Sequence, residues 1–388
     1  MTDVAVIGGG AAGLVAAVSA AEGGAQVALL EAGERVGQKI LATGNGRCNL
    51  TNMGVSPACY NAPEFVAPAL QRFGAAEVRA WFERHGLLTV EEAQGRVYPL
   101  SNTASSVVDV LRGACERAGV EVVVGFEVTS IARVGERFCV TARDGEVREA
   151  DKVVVATGGG SELLAQLGHT MVPFEPVLCS LATEKQAIRG LDGVRVKVQV
   201  SAYGSETSEA GESGEPYFVE AGEVLFRDYG VSGIVIFNLS RYAHAGDAIV
   251  LDFMPERDEA AVEALLAERM ELLGGPSYAT LLQGVFHSRV NTALLRMARV
   301  KPSAMAEPAG CAALAGVIKR FALRCTGTGD AKHAQVTRGG ATLAEFCPQT
   351  MESLLVSGLY AAGEALNIDA SCGGFNLHWA WSSALLIP

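Results

Sequence analysis

Val4-Ala5-Val6-Ile7-Gly8-Gly9-Gly10-Ala11-Ala12-Gly13 is the stretch whose reading decides the fold. A short apolar run meets glycines spaced G-x-G-x-x-G, and an alanine-rich helical stretch, Leu14 to Ala21, follows. A second apolar run, Gln26 to Leu30, ends in Glu31. Strand, glycine turn, helix and strand in this order make a βαβ unit. Gly8 permits the tight turn off the strand, Gly10 lets a pyrophosphate approach the backbone, and Gly13 lets the helix pack close to the strands. The helix start offers unpaired N–H groups and a positive dipole end to phosphates. Glu31, about 20 positions on, is placed to accept a hydrogen bond from a ribose hydroxyl. The unit therefore predicts a bound dinucleotide.

The same chemistry recurs further along. Lys152-Val153-Val154-Val155-Ala156 is continuously apolar, as a buried parallel strand is, and it runs into Thr157-Gly158-Gly159-Gly160. Ligands sit at the carboxyl ends of such strands. Near the other terminus Leu359 to Ala362 reads as a buried strand followed by Gly363-Glu364. Cys372-Gly373-Gly374-Phe375-Asn376-Leu377 then opens a final helix, His378 to Leu386, a second glycine-led helix start suited to anionic or carbonyl oxygens. The chain is thus expected to begin and end in one Rossmann-type α/β domain, residues 1–176 and 350–388.

Between the ends the pattern changes twice. Pro63–Phe73, Ala75–His85 and Thr103–Ala118 carry helical spacing, Leu87–Val97 alternates as a hairpin, and Glu121–Val124, Val128–Val134 and Arg137–Arg143 read as strands. Trp81 and Phe82 read as core. From Pro176 short β-like runs dominate: Val194–Ala202, Tyr217–Phe226 and Ile234–Leu239, with Tyr203 to Pro216 an exposed acidic connection. They predict an antiparallel β-barrel over 177–253 and 326–349. Asp258–Leu273, Tyr278–Phe286, Thr292–Arg299 and Gly310–Phe321 read as helices, which makes 254–325 a helical insertion domain.

Composition narrows the function. The 388 residues are 49% hydrophobic, ample for a large core, and the net charge is −12 with no sustained block of Lys and Arg. That balance argues against a nucleic-acid partner, whose binding rests on phosphate neutralisation, and for a small-molecule substrate. Nine cysteines (Cys48, Cys59, Cys115, Cys139, Cys179, Cys311, Cys325, Cys347 and Cys372) form no C-x-x-C and no repeating spacing. They read as reduced thiols of a cytoplasmic protein rather than a disulfide framework. No His/Cys cluster has zinc spacing, so no metal is expected. The first apolar run is broken by glycines, so it reads as a strand and not a signal peptide. No uninterrupted apolar run is long enough to span a membrane. Oligomeric state is not legible.

Arg35 to Asn52 combines glycines, amides, small hydroxyls and cations, the composition of a loop over a cofactor and of an ordinary surface loop alike. Within it, Gly37-Gln38-Lys39-Ile40-Leu41-Ala42-Thr43-Gly44-Asn45-Gly46-Arg47-Cys48-Asn49 resembles the bacterial aminoacetone oxidase-like FAD-binding family, which includes the bile-acid 3-dehydro-Δ4,6 reductases. Gly95 to Pro99, Phe226 to Leu239, Val336 to Gly340, and Gly363-Glu364 through Gly374-Phe375-Asn376-Leu377 to Ser383 agree, so the likeness covers essentially the whole chain. One departure is a loop after Gly160 shorter by about ten residues than the family's expected length.

The resemblance implies FAD as cofactor. It implies that Gly8, Gly10, Ala11 and Gly13 hold the pyrophosphate and Glu31 the adenosine ribose. Val128 would meet adenine, and Ala156, Thr157 and Gly158 the dinucleotide. Lys39, Thr43, Gly44, Asn45, Gly46 and Arg47 would line the flavin side, Gly363 and Glu364 the ribityl–phosphate region, and Gly374, Asn376 and Leu377 the isoalloxazine. No catalytic acid or base is identifiable. Cys48, Cys372 and Tyr229 are noted because the matching segments face the cofactor in the family. His378 opens a helix where either a proton donor or, more simply, a structural histidine fits, and His85 and His169 read as structural. Only one dinucleotide fingerprint is present, so NAD(P)H, if the donor, is a transient visitor. Three functions are compatible: an NAD(P)H-dependent reductase of a small or steroid-like enone with hydride transfer through flavin N5, an amine oxidase using oxygen, or a flavin-binding sensor without turnover.

Overall fold

The computed structural model describes residues 2–205 and 214–388, and most of the Tyr203 to Pro216 connection lies outside them. The described chain forms two compact units, residues 1–175 with 335–388, and residues 176–334.

The first unit is built on a seven-stranded sheet. Thr2–Ile7 lies between Val27–Glu31 and Val147–Val155, parallel to both, with Glu121–Val124 beyond Val27–Glu31. Arg137–Ala142 and Val128–Val134 extend the other side as an antiparallel meander, and Leu359–Ala361 joins Val147–Val155 in parallel. Five parallel strands therefore bring carboxyl ends to one edge: Ile7, Glu31, Val124, Val155 and Ala361. The apolar runs of the central strands, residues 4–7, 27–30, 153–155 and 359–361, are buried, as strands covered on both faces must be. The first helix, Ala11–Glu22, is almost entirely buried, and its alanines let it lie close on the sheet and against the last helix, Phe375–Leu385. The last helix begins at Phe375, three residues earlier than its apolar spacing suggests, because Gly374 adopts φ +98° and caps it.

The second unit contains a closed barrel: Leu181–Thr183, Gly230–Ser232, Phe218–Arg227, Arg195–Tyr203, Ala248–Asp252 and Phe321–Thr328 in cyclic order. Closure removes the exposed edges that an open sheet of this size would present. Helices Glu259–Leu272, Tyr278–Leu281, Ser288–Met297 and Pro308–Lys319 share its hydrophobic core. Two sequence expectations are corrected here. Ile234–Leu239 is a helix, not a strand: Val235, Ile236, Asn238 and Leu239 are all buried, and a six-residue apolar run carries no period that separates the two states. Phe321 opens a barrel strand rather than closing a helix.

Candidate functional site

Steric accounting explains the glycines of the first turn. A Cβ on Gly13 would sit 1.8 Å from the Gly8 carbonyl oxygen, and one on Gly8, at φ +103°, would sit 2.6 Å from the Ala156 oxygen. These two glycines let helix, turn and neighbouring strand interlock. Gly10 differs: nothing lies within 4 Å of a Cβ built there. It caps the first helix without a side-chain cap, and no acidic residue occupies the helix's first turn. The result is open space over unpaired N–H groups at a positive dipole end, a fit for a pyrophosphate. Glu31, at the end of its strand, accepts from Gly9 N (2.7 Å) and Gly33 N (2.7 Å), which fixes the carboxylate beside that space. Phe126 N donates to the Glu31 carbonyl at 2.9 Å, and Val128 starts the strand two residues later.

At the same sheet edge Ala156 N bonds the Ile7 carbonyl, and Gly158 turns at φ +75°. A Cβ on Gly158 would meet Lys39 Nζ at 2.9 Å and Glu364 Oε2 at 3.5 Å. Glu364 also accepts from Gly159 N at 3.4 Å. Burial pushes the Glu364 carboxyl up, while Lys39 and the N–H groups of Gly159 and Thr337 pull it back. Gly159 and Thr337 are members of this cluster that motif reading did not single out.

The last helix ties the remaining loops together. Gly363 is held at both polar atoms: its N donates to Ser383 Oγ (3.0 Å) and its carbonyl accepts from Trp379 Nε1 (3.1 Å). A Cβ on Gly363 would lie 3.1 Å from Ala12 Cβ, so this turn rests on the first helix. Trp381 Nε1 donates to the Leu50 carbonyl (2.9 Å), and Asn52 Nδ2 to the Gly373 carbonyl (3.0 Å). Gly374 cannot carry a side chain, since its Cβ would be 2.7 Å from the Thr51 oxygen and 2.9 Å from Asn49 Oδ1. That Asn49 oxygen is buried without a hydrogen-bond partner, immediately beside an uncapped helix start with no acidic residue in its first turn. Orphaned acceptor, open N–H groups and glycine cradles together fit a large polar cofactor lying between the two helix starts.

Several candidate side chains are engaged within the protein. Arg47 pairs with Glu92, bonds Asn102 and lies over the Tyr98 ring at 3.9 Å. Thr43 Oγ1 donates to the Ile40 carbonyl (2.6 Å). Asn376 closes its own loop, donating to the Ala370 carbonyl and accepting from Ala370 N, both at 2.9 Å. Gly44, Asn45 and Gly46 turn with positive φ, the last two exposed, and Leu377 is half-buried. What these positions offer a ligand is backbone.

The noted reactive groups sort the same way. Cys48 is fully buried, and burial pushes its thiol up to about 12, the opposite of an activated thiolate. Cys372 is half-buried. Tyr229 belongs to the second unit and hydrogen-bonds Ser180 Oγ at 3.0 Å. His85 bridges the Trp81 carbonyl (2.7 Å) and Glu22 (3.0 Å). His169 lies between Glu345 (2.8 Å) and Ser353 Oγ (2.9 Å). The trio has triad spacing, but Ser353 Oγ already accepts from Leu355 N and Val356 N and is buried, so it braces the chain rather than attacking a substrate. Among the described residues no group of three or more metal-ligating side chains occurs.

His378 is fully buried, bonded through Nδ1 to Thr51 Oγ1 (2.7 Å), with Nε2 unpartnered. Burial lowers its pKa to about 4, so it is neutral at pH 7 and holds no proton to give. Unfolding restores a value of about 6.5. The unfolded chain then binds the extra proton, so stability present above about pH 6.5 is lost as pH falls toward 4, by up to about 3 kcal/mol. Urea unfolding between pH 7 and pH 4 is expected to show this slope in the native chain and a flatter one in His378→Gln; equal slopes contradict it.

Comparison with known proteins agrees with this geometry. The model of the HI0933-like protein Rossmann domain matches residues 2–387. The 3-dehydro-bile acid delta(4,6)-reductase of Clostridium scindens is 34% identical, covering 100% of this chain and 98% of that protein. The ribosomal RNA dihydrouridine synthases of Escherichia coli and Haemophilus influenzae are 28% and 26% identical, each covering 98% of this chain and 96% of the relative. With two helix starts framing one dinucleotide cradle and the family model spanning nearly every residue, the chain belongs to the HI0933-like Rossmann family and is an FAD-dependent oxidoreductase.

Proposed function

We propose that this protein reduces a carbon–carbon double bond conjugated to a carbonyl in a small or steroid-like molecule, with NADH or NADPH as a transient electron donor. The observation that carries this reading is the end-to-end likeness to a relative named for a 3-dehydro-bile acid Δ(4,6) reduction. When bound, FAD supplies the two-electron chemistry that no side chain provides. The chain's own part is placement. N–H groups at the first helix start hold the pyrophosphate, Glu31 holds the adenosine ribose, and Lys39 and Glu364 set the charge beside Gly158. The N–H groups around Gly374 face negative charge as fixed dipoles do. Among the described residues the cysteines form no disulfide, which supports a cytoplasmic setting.

A second substrate reading is supported by the two relatives named ribosomal RNA dihydrouridine synthases. Saturating the uracil 5,6 bond is the same chemistry, a double bond conjugated to a carbonyl. Purified protein is expected to be yellow, to bleach on anaerobic mixing with NADH or NADPH, and to recover its colour on adding an enone. Inertness to both nucleotides with bleaching by an amine contradicts the proposal in favour of an oxidase. Bound FAD that no donor reduces contradicts it in favour of a sensor.

A further inference from the structure

Residues 273–306 contain Arg289, Arg296, Arg299 and Lys301 and no Asp or Glu, in a chain of net charge −12. Ser288–Met297 is a helix, and Arg289 and Arg296 stand two turns apart on one face of it. That face lies on a distant segment of the same unit. Arg289 Nη1 donates to the Asp192 carbonyl (2.8 Å), and Arg296 donates to the carbonyls of Ala187 (2.7 Å) and Arg189 (3.1 Å), the last 107 positions away in sequence. The contacted segment carries Lys185 and Arg189 of its own. Folding thus lays the helix of Arg289 and Arg296, with the exposed Arg299 and Lys301 following it, on the segment of the exposed Lys185 and Arg189, so that two contacting segments carry six exposed cations.

None of the six forms an ion pair among the described residues. Arg289 and Arg296 are fixed on carbonyl oxygens instead, so they keep their full charge and spare N–H donors in a set orientation. Glu184, Asp192 and Asp228 are the opposing charges of the 184–192 segment and its groove. Against six cations they leave an excess of three positive charges.

We propose that this face binds the phosphate backbone of structured RNA; the inference rests on the second substrate reading above. Within 185–195 and 287–301 no large hydrophobic side chain is exposed, and in the rest of 273–306 only Leu273 and Met305 are. A protein partner needs an apolar or aromatic anchor at the centre of its interface, whereas backbone recognition of RNA needs only placed cations. The absence of exposed aromatic rings there gives little base preference. The overall negative charge does not forbid the contact, because charges more than about 8–10 Å away are screened at physiological salt.

The test uses the full-length flavoprotein and a labelled RNA hairpin in fluorescence anisotropy. If about four of the six cations meet phosphates, affinity is about a hundredfold weaker at about 200 mM salt than at about 50 mM. R189E/K301E is expected to bind at least tenfold more weakly, with an unchanged flavin spectrum and unchanged enone reduction. Absence of RNA binding at low salt, RNA binding unaltered in R189E/K301E, or tighter binding to a polyglutamate peptide than to RNA overturns the proposal. Enone reduction is read separately, so failure of the reductase reading is distinguishable from failure of this one.

Discussion

Gly13→Ala is expected to remove both flavin binding and much of the stability of the first unit. The added methyl would lie 1.8 Å from the Gly8 carbonyl oxygen, a backbone atom held by the turn off the first strand. Relief requires the first helix to move away from the sheet. That opens its contact with the last helix and shifts the N–H groups at its start. Overpacking a close-packed core costs about 1–3 kcal/mol even where side chains can yield, and here only backbone can. Thermal unfolding of Gly13→Ala is expected several degrees below that of the native protein, with the purified variant colourless. A yellow Gly13→Ala with native melting behaviour contradicts the packing argument.

The second large effect lies in the last helix. Trp379 and Trp381 are fully buried, and each spends its indole N–H on the backbone of a different loop, at Gly363 and at Leu50. Truncating either to alanine removes a large side chain from a core and costs about 3–5 kcal/mol, most of the stability of a domain at the low end of the usual range of about 5–15 kcal/mol. Trp379→Phe separates the two contributions. It keeps most of the packing and leaves the Gly363 carbonyl without its donor, which costs about 1–3 kcal/mol. Trp379→Phe is therefore expected to fold, melt lower than the native chain and hold FAD more weakly, while Trp379→Ala and Trp381→Ala fail to accumulate as folded protein. Equal FAD affinity in Trp379→Phe and the native chain contradicts the role given to this tie.

The parts of this design that are local were legible. The Gly8–Gly13 turn, the apolar strand before Thr157 and the glycine-led last helix are each specified by neighbouring residues, and the structure forms all three. The barrel was legible from its short strands, but the strand that closes it was not, because Phe321–Thr328 pairs with Leu181–Thr183, far apart in the chain. Ile234–Leu239 misleads because β-branched residues in a short buried run satisfy strand and helix equally. In the candidate site, positions acting through backbone could be read from glycine spacing. Side-chain roles could not. Arg47, Thr43 and Asn376 have chemistry suited to a flavin, yet each is bound to its own protein. Trp379, Trp381 and Ser383 look like ordinary helix residues until their partners are known. His378 has the type of a proton donor, and only burial shows it to be neutral.

Gly10→Ala offers the most direct test of the dinucleotide cradle, because nothing in the protein lies within 4 Å of the added methyl and φ is −83°. Calorimetric titration of the apoprotein with FAD should show affinity at least tenfold lower, about 1.4 kcal/mol, in a variant that melts with the native chain. Native FAD affinity in Gly10→Ala would mean that the pyrophosphate does not lie over the first helix start.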